Sequence, residues 1–196
     1  MLNAVFLRFL LYFPNMPTKG DFLLRDLPGS GNRVDVLCRC LSACFGWAPT
    51  IIPSNEIELR AVLSDELTLQ FHRPERAEDM AETDWAKDIR ESLNGNQPEY
   101  ISIDDLDFEQ NIQQLVNDSS TNVWLLHEKS ENSTKTWNPA LQNSFILGDH
   151  KGFDSHSLKI IRECGIPDLS IGPLPYLGSH CIATVIAEAE RRKNSV

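Results

Sequence analysis

The chain has 196 residues, a formal net charge of −10, 41% hydrophobic residues and 23% charged residues. This size and composition indicate one globular domain. The acidity disfavours a nucleic-acid-binding protein but leaves room for a local basic groove, because basic residues cluster between Lys19 and Arg39. The apolar run at residues 1–13 contains Arg8 and is shorter than the roughly 20 residues of a membrane span, so we expect a cytoplasmic protein without a membrane segment.

The first quarter of the chain predicts a strand, a turn-rich segment and a helix. The apolar run at residues 4–13 is typical of a buried strand, and residues 14–32 are rich in turn-forming residues. Asn32 is predicted to cap the helix that follows, with Asp35 completing a capping-box-like pair. One face of this helix carries apolar residues at helical spacing: Val34, Leu37, Leu41 and Phe45.

The remaining chain alternates between short apolar runs and amphipathic segments. Strands are predicted at residues 57–62, 67–71, 100–103, 123–126, 144–147 and 168–171. Helices are predicted at residues 84–93, 108–116, 154–164 and 179–191. Asp154 is predicted to cap the third of these helices and Gly165 to end it. The alternation predicts an α/β fold with a mostly parallel sheet flanked by helices.

The five cysteines do not indicate a metal site or a disulfide framework. They are Cys38, Cys40, Cys44, Cys164 and Cys181. Their number is odd and no Cys-x-x-Cys pattern occurs, so we expect reduced thiols and no metal. Cys40 and Cys44 share a helix face and are predicted to be small buried residues.

Two glycine-bearing loops follow predicted strands late in the chain, at residues 147–153 and 171–178. A glycine has no Cβ, so the main chain in such loops can approach a ligand closely. The chain lacks G-x-G-x-x-G, the P-loop pattern, G-x-S-x-G and H-E-x-x-H, which disfavours the common nucleotide, hydrolase and zinc-protease sites. The two loops therefore predict a small-molecule pocket built mostly from main chain.

Three segments carry a resemblance that runs through the whole chain. The first holds Gly-Asp-Phe at 20–22, Leu-Pro-Gly-Ser at 27–30 and Arg-Val-Asp-Val-Leu-Cys-Arg-Cys at 33–40. The second is Leu-Gly-Asp-His-Lys-Gly-Phe at 147–153, and the third joins Gly-Pro-Leu at 172–174 to His-Cys-Ile at 180–182. Their order and spacing resemble the TrmY family of SPOUT methyltransferases, the pseudouridine N1-methyltransferases that act on the T-loop of tRNA.

This resemblance implies a single SPOUT domain over residues 1–196, with a deep trefoil knot at about residues 120–196, and a homodimer. True knots are rare exceptions to the usual rules of chain connection. It also implies S-adenosylmethionine as cofactor and a structured RNA as partner, with position 54 of tRNA as the target. The closing helix is predicted to supply an apolar dimer face through Ile182, Val185, Ile186 and Ala189.

The resemblance also implies roles for individual residues. The cofactor-binding candidates are Leu126, His127, Gly148, Ile171, Gly172, Leu174, Tyr176, Leu177 and Cys181. The candidates for contacting RNA are Arg33, Arg39, Asp149 and His150, and the catalytic candidates are Asp21 and Arg25. No metal ligand is implied.

Several alternatives stay open at this point. Asp21 and Arg25 are equally well explained by loop solvation and a local salt bridge, and Cys181 by packing rather than nucleophilic attack. Tyr176 could stack on a base or pack in the core. The chain could also be a SPOUT enzyme for another RNA, such as ribosomal RNA, or a non-catalytic member that binds cofactor or RNA.

Overall fold

The computed structural model describes residues 7–46 and 52–193, and within them it contains seven strands and five α-helices. The strands are β1 (Leu7–Phe13), β2 (Ile57–Leu63), β3 (Leu67–Phe71), β4 (Ile101–Asp104), β5 (Thr121–Leu126), β6 (Gln142–Gly148) and β7 (Asp168–Leu169). The helices are α1 (Val34–Leu41), α2 (Glu82–Leu93), α3 (Phe108–Asn117), α4 (Ser155–Glu163) and α5 (Gly178–Lys193). The predicted strand at residues 4–13 is present from residue 7, and its first three residues lie outside the described part.

All seven strands join one sheet in the order β4-β3-β2-β1-β6-β5-β7. Five neighbouring strands run parallel to one another: β2, β1, β6, β5 and β7. At the β2 edge, β3 and then β4 extend the sheet by antiparallel pairing. The predicted mostly parallel α/β sheet is confirmed. Because the carboxyl ends of parallel strands meet at one edge, β1, β5, β6 and β7 end close together.

Helices cover both faces of the sheet. Alternate residues of β1 point to opposite sides, with Phe9 and Leu11 in one hydrophobic core and Leu10 and Tyr12 in the other. The first core packs against α1, α2 and α5, and the second against α3 and α4. The central position of β1 between two cores explains why nearly all of it is buried.

The predicted cap of α1 is wrong. The helix begins at Val34, its N-cap position is Arg33, and no side chain caps it. An N-cap side chain needs extended backbone to reach the first turn, whereas Asn32 and Arg33 are both left-handed, with φ of 43° and 74°. Asp35 does not form a capping box either, because its carboxylate is bound to Arg33 and Arg39 instead.

The predicted boundaries of α4 are confirmed to within a residue. The Asp154 carboxylate accepts a hydrogen bond from the main-chain N–H of Ser157 at 2.7 Å. Gly165, two residues after the helix, has a φ of 68°, the left-handed conformation that favours glycine at a helix end.

The apolar side of α5 does not face outward. Ile182, Val185, Ile186 and Ala189 are at most 3% exposed and belong to the first hydrophobic core. They pack inside their own chain, so the prediction that these four side chains form a dimer face is wrong. An amphipathic helix shows which of its sides is apolar, but not which surface will cover that side.

Within residues 7–46 and 52–193, no helix combines the length and the apolar character needed to cross a bilayer.

Candidate active site

A cavity of about 720 Å³ opens where the parallel strands end. Its walls come from the ends of β1, β5 and β6, from the segment between β7 and α5, and from one side of α1. Ligands of open α/β sheets bind in this position, outside the carboxyl ends of the strands.

The cavity brings together all but two of the predicted site residues. Every predicted cofactor residue lines it: Leu126, His127, Gly148, Ile171, Gly172, Leu174, Tyr176, Leu177 and Cys181. The predicted RNA contacts Arg33, Arg39, Asp149 and His150 line it as well. Asp21 and Arg25 do not, because they are exposed in the turn-rich segment between β1 and α1.

The loop after β6 is a tight turn that only glycine permits. A Cβ placed on Gly148 would lie 2.7 Å from the carbonyl carbon of Gly152, so the two stretches of main chain are in direct contact. The Asp149 carboxylate accepts a hydrogen bond from the N–H of Lys151 at 2.7 Å, and Gly152 donates to the Asp149 carbonyl at 3.0 Å. The Asp149 side chain is 6% exposed, so it faces inward and holds the turn closed.

The loop after β7 is held by Ser170. Its N–H donates to the Asn132 carbonyl at 2.8 Å and its hydroxyl to the Gly172 carbonyl at 2.8 Å. Ser170 thus leaves the partner strand β5 and forms an isolated parallel bridge with Ser133, so β7 ends at Leu169 rather than at residue 171 as predicted. A Cβ on Gly172 would lie 2.6 Å from the Tyr176 ring, so the missing side chain makes room for that ring.

Large apolar side chains remain exposed at the mouth of the cavity. Leu174 is 61% exposed, Leu177 58% and Tyr176 43%. Among the described residues, the main-chain N–H groups of Leu174 and Leu177 donate no hydrogen bond. This loop therefore offers an apolar surface together with free main-chain donors, the combination typical of small-molecule sites.

The α1 wall carries a buried carboxylate between two arginines. Arg33 donates two hydrogen bonds to Asp35, at 2.9 and 3.0 Å, and Arg39 donates one at 2.6 Å. Burial by itself raises the pKa of Asp35, but the hydrogen bonds from Arg33 and the charges of both arginines outweigh it and hold that pKa below its ordinary value. Asp35 thus stays charged and orients both guanidinium groups at the cavity wall.

The two cysteines that line the cavity are poor nucleophiles. Burial raises the pKa of Cys181 to about 11 and that of Cys40 to about 12. Both thiols are therefore protonated near neutral pH, and only a thiolate attacks efficiently. This supports packing rather than covalent chemistry for Cys181.

For the methyl transfer that the resemblance implies, we accordingly expect Cys181→Ala to keep a kcat close to that of the parent protein, because no step needs the thiolate. Single-turnover kinetics with labelled cofactor would measure this. Cys164→Ala is the matched control, since Cys164 is half-buried but lies outside the cavity. A loss of several orders of magnitude for Cys181→Ala alone would restore the nucleophile hypothesis.

Three charged residues at the cavity were not predicted: Glu128, Lys151 and Arg162. Glu128 directly follows His127 and Lys151 directly follows His150, both of which were predicted site residues. Their place in a loop after a strand could therefore have indicated them. Arg162 comes from α4 and forms a bidentate ion pair with Asp168, at 2.7 and 2.9 Å. Nothing local in the sequence indicates that α4 reaches the cavity.

Solved structures with S-adenosylhomocysteine or S-adenosylmethionine bound share the fold of this chain. The structure of Nep1 from Archaeoglobus fulgidus bound to S-adenosylhomocysteine matches with a TM-score of 0.64 and 15% identity, covering 99% of this chain and 100% of that one. A ribosomal RNA small subunit methyltransferase E from Neisseria gonorrhoeae, bound to S-adenosylmethionine, matches with a TM-score of 0.51 and 11% identity, covering 95% of this chain and 66% of that one. At these identities the likeness concerns the fold alone.

Residues 7–194 match the family described as "Putative SAM-dependent RNA methyltransferase", and the chain belongs to this family. Among its relatives is the tRNA (pseudouridine(54)-N(1))-methyltransferase of Methanococcoides burtonii, 28% identical over 189 residues, which cover 89% of this chain and 91% of the relative. The Pyrococcus abyssi enzyme of the same name is 28% identical over 185 residues, covering 86% of this chain and 89% of the relative.

Proposed function

We propose that the protein transfers a methyl group from S-adenosylmethionine to N1 of pseudouridine at position 54 in the T-loop of tRNA. The observation that carries this proposal is the meeting of three distant segments at one cavity. Residues 33–40, 147–153 and 171–181 all contribute to its walls, and these are the segments in which the resemblance is concentrated. The relatives named above carry this activity in their names.

The cavity fits the cofactor in size and chemistry. Its volume of about 720 Å³ lies inside the range of roughly 300–1,000 Å³ usual for small-molecule sites. Leu126, Leu147 and Ile171 supply apolar walls, and the loop at Leu174 and Leu177 supplies main-chain N–H donors, which together suit an adenosine. When bound, S-adenosylmethionine supplies a methyl group already activated by its sulfonium sulfur.

The residues of the chain then have to place the acceptor in line with that methyl group. Such alignment replaces a collision of two free molecules and accounts for much of the rate gain in group transfer. Asp149 keeps the loop after β6 closed, and the Arg33 guanidinium, fixed by Asp35, stands at the same wall. The acceptor must be an unpaired or flipped pseudouridine, because a duplex hides N1.

Pseudouridine N1 must also lose a proton around the transfer, which calls for a base or a charge stabiliser. We assign the contact with the target base to Asp21 and Arg25, which do not line the cavity but are exposed, so that a large substrate can reach them. Asp21→Asn is then expected to lower kcat while the Kd for S-adenosylmethionine stays unchanged. Asp79→Asn, an exposed carboxylate away from the cavity, is the control. An unchanged kcat would leave Asp21 as an ordinary loop residue.

The assembly belongs to the same proposal. We infer a single domain over residues 1–196 with a trefoil knot at about residues 120–196, a homodimer, and action in the cytoplasm on tRNA. The exposed apolar side chains of Leu174, Tyr176 and Leu177 support a covered surface beside the cavity. Sedimentation equilibrium would measure the mass in solution, and a monomer at micromolar concentration would overturn the dimer.

The deciding experiment supplies tRNA with pseudouridine at position 54, S-adenosylmethionine and the purified protein, followed by mass spectrometry of the nucleosides. We expect 1-methylpseudouridine, and none from the same tRNA with uridine at that position. Calorimetry establishes separately that the protein binds the cofactor. Cofactor binding without methylation of this tRNA would overturn the substrate, and methylation of ribosomal RNA instead would favour the alternative. Absence of cofactor binding would overturn the enzyme itself.

A further inference from the structure

A second cavity, of about 550 Å³, adjoins the first one. The two cavities share a wall made of Phe13, Arg33, Asp149, His150 and Lys151. The other side of the second cavity comes from the turn-rich segment and from the tip of the β2–β3 hairpin: Pro14, Asn15, Met16, Pro28, Asn32 and Ser64. The residues on this other side do not line the first cavity.

Hydrogen bonds fix the shape of this second cavity. The N–H of Ser64 donates to the Phe13 carbonyl at 2.9 Å, and its hydroxyl donates to the Met16 carbonyl at 2.6 Å. On the opposite side, the left-handed Asn32 and Arg33 donate their N–H groups to the carbonyls of Gly29 and Pro28, at 3.1 and 3.2 Å. Left-handed conformations of this kind cost energy and persist where the surroundings enforce them, often at functional sites.

The accessible chemistry of this cavity suits a sugar–phosphate. Phe13 and Met16 are 2% and 1% exposed, so neither offers a surface on which a base could stack. Asn15, Asn32 and Lys151 are exposed, and these amide and ammonium groups are typical contacts of phosphate and ribose oxygens.

Lys151 is the cation best placed for such a contact. Its ammonium group forms no ion pair within the described residues, whereas Arg33 is engaged by Asp35. The nearby Asp149 carboxylate is engaged within its own loop, because its side chain is 6% exposed and accepts the Lys151 main-chain N–H at 2.7 Å. The exposed Lys151 ammonium is therefore the positive charge that the shared wall offers to the second cavity.

We propose that the second cavity holds the sugar–phosphate of a nucleotide next to the methylated one, with Lys151 as its phosphate contact. This rests on the proposed function, since it requires an RNA acceptor in the first cavity. A strand that leaves the first cavity across the shared wall enters the second one directly. The contact would position the RNA without reading its sequence, because phosphate contacts carry no base information.

The test measures the affinity of tRNA carrying pseudouridine 54 as a function of salt concentration. The logarithm of the binding constant falls linearly with the logarithm of the salt concentration, and loss of one phosphate contact makes this slope shallower by about 0.7–1. We expect this change for Lys151→Gln, together with a KM for tRNA that rises more than kcat falls and an unchanged Kd for S-adenosylmethionine. Lys151→Arg keeps the charge and is expected to restore the slope.

Lys87→Gln is the matched control, because Lys87 is exposed on α2 and lines neither cavity. An unchanged slope and KM for Lys151→Gln in an active enzyme would overturn the subsite, and so would a change in cofactor affinity alone. If the parent protein binds the cofactor but methylates no pseudouridine, it is the proposed function that fails. The two failures are therefore distinguishable.

Discussion

Gly148→Ala is expected to remove nearly all methyl transfer while the protein stays folded. The added Cβ would lie 2.7–2.9 Å from the main chain of Gly152, and main chain cannot give way as a flexible side chain does. The loop must open, which moves Asp149 and the cavity wall. A displacement of about 1 Å at a site of this kind costs on the order of 10²-fold in rate.

Calorimetry with S-adenosylmethionine and single-turnover kinetics would measure the effect of Gly148→Ala. We expect weaker cofactor binding and a slower transfer step, with an unchanged far-ultraviolet circular dichroism spectrum. Gly46→Ala is the matched control, since its added Cβ would meet its nearest neighbour at an ordinary 3.5 Å, away from the cavity. Equal activity of the two variants would show that the contact between Gly148 and Gly152 does not shape the site.

Asp35→Asn is expected to weaken both stability and RNA binding. The carboxylate is 5% exposed and accepts charge-assisted hydrogen bonds from Arg33 and Arg39. Bonds of this type contribute about 1.5–3 kcal/mol when buried, and the partial exposure of both arginines places the expected loss of unfolding free energy near the low end. The arginines would also lose their orientation at the cavity wall, which we expect to raise the KM for tRNA.

The pH dependence of stability provides a sharper test of Asp35. Its pKa is lowered in the folded protein, so its contribution is fully present above the unfolded value of about 3.9 and is lost as the pH falls through the lower folded value. Urea unfolding should therefore separate the parent from Asp35→Asn at pH 7 and bring them together in acid. Asp79→Asn, an exposed control, should follow the parent throughout. A stability difference that does not shrink as the pH falls below the unfolded value would contradict the ion-pair explanation.

Local features of the chain were predictable where their cause is local. The strands and helices follow from apolar periodicity, and the start of α4 follows from Asp154, whose side chain needs only the N–H of Ser157 three residues later. The predicted cap at Asn32 was wrong although its cause is also local, because a capping pattern shows neither the backbone angles nor the ion pairs of the residues involved. The chain enters α1 in a left-handed conformation, and Asp35 binds Arg33 and Arg39 instead of the helix start.

The candidate site was likewise predictable from the sequence only in part. Glycine loops after strands predicted that residues 147–153 and 171–178 form a pocket, and both segments line one. The contribution of Arg162 and the hairpin residue Ser64 could not be predicted, because each reaches its cavity through packing between elements. The inward apolar side of α5 belongs here too, since periodicity does not say which surface covers it.

The sequence by itself determined the alternation of strands and helices, the glycine turns at the strand ends and, through three segments, the resemblance to a methyltransferase family. These features depend on residues a few positions apart, or on motifs that can be read directly. Only the tertiary structure decided that Arg33, Gly148 and Leu174 border one cavity and that a second cavity shares its wall. That outcome depends on the parallel register of β1, β5 and β6 and on how the helices pack over them. The pairing of β1 with β6 alone joins residues more than 100 positions apart, such as Leu7 and Asn143.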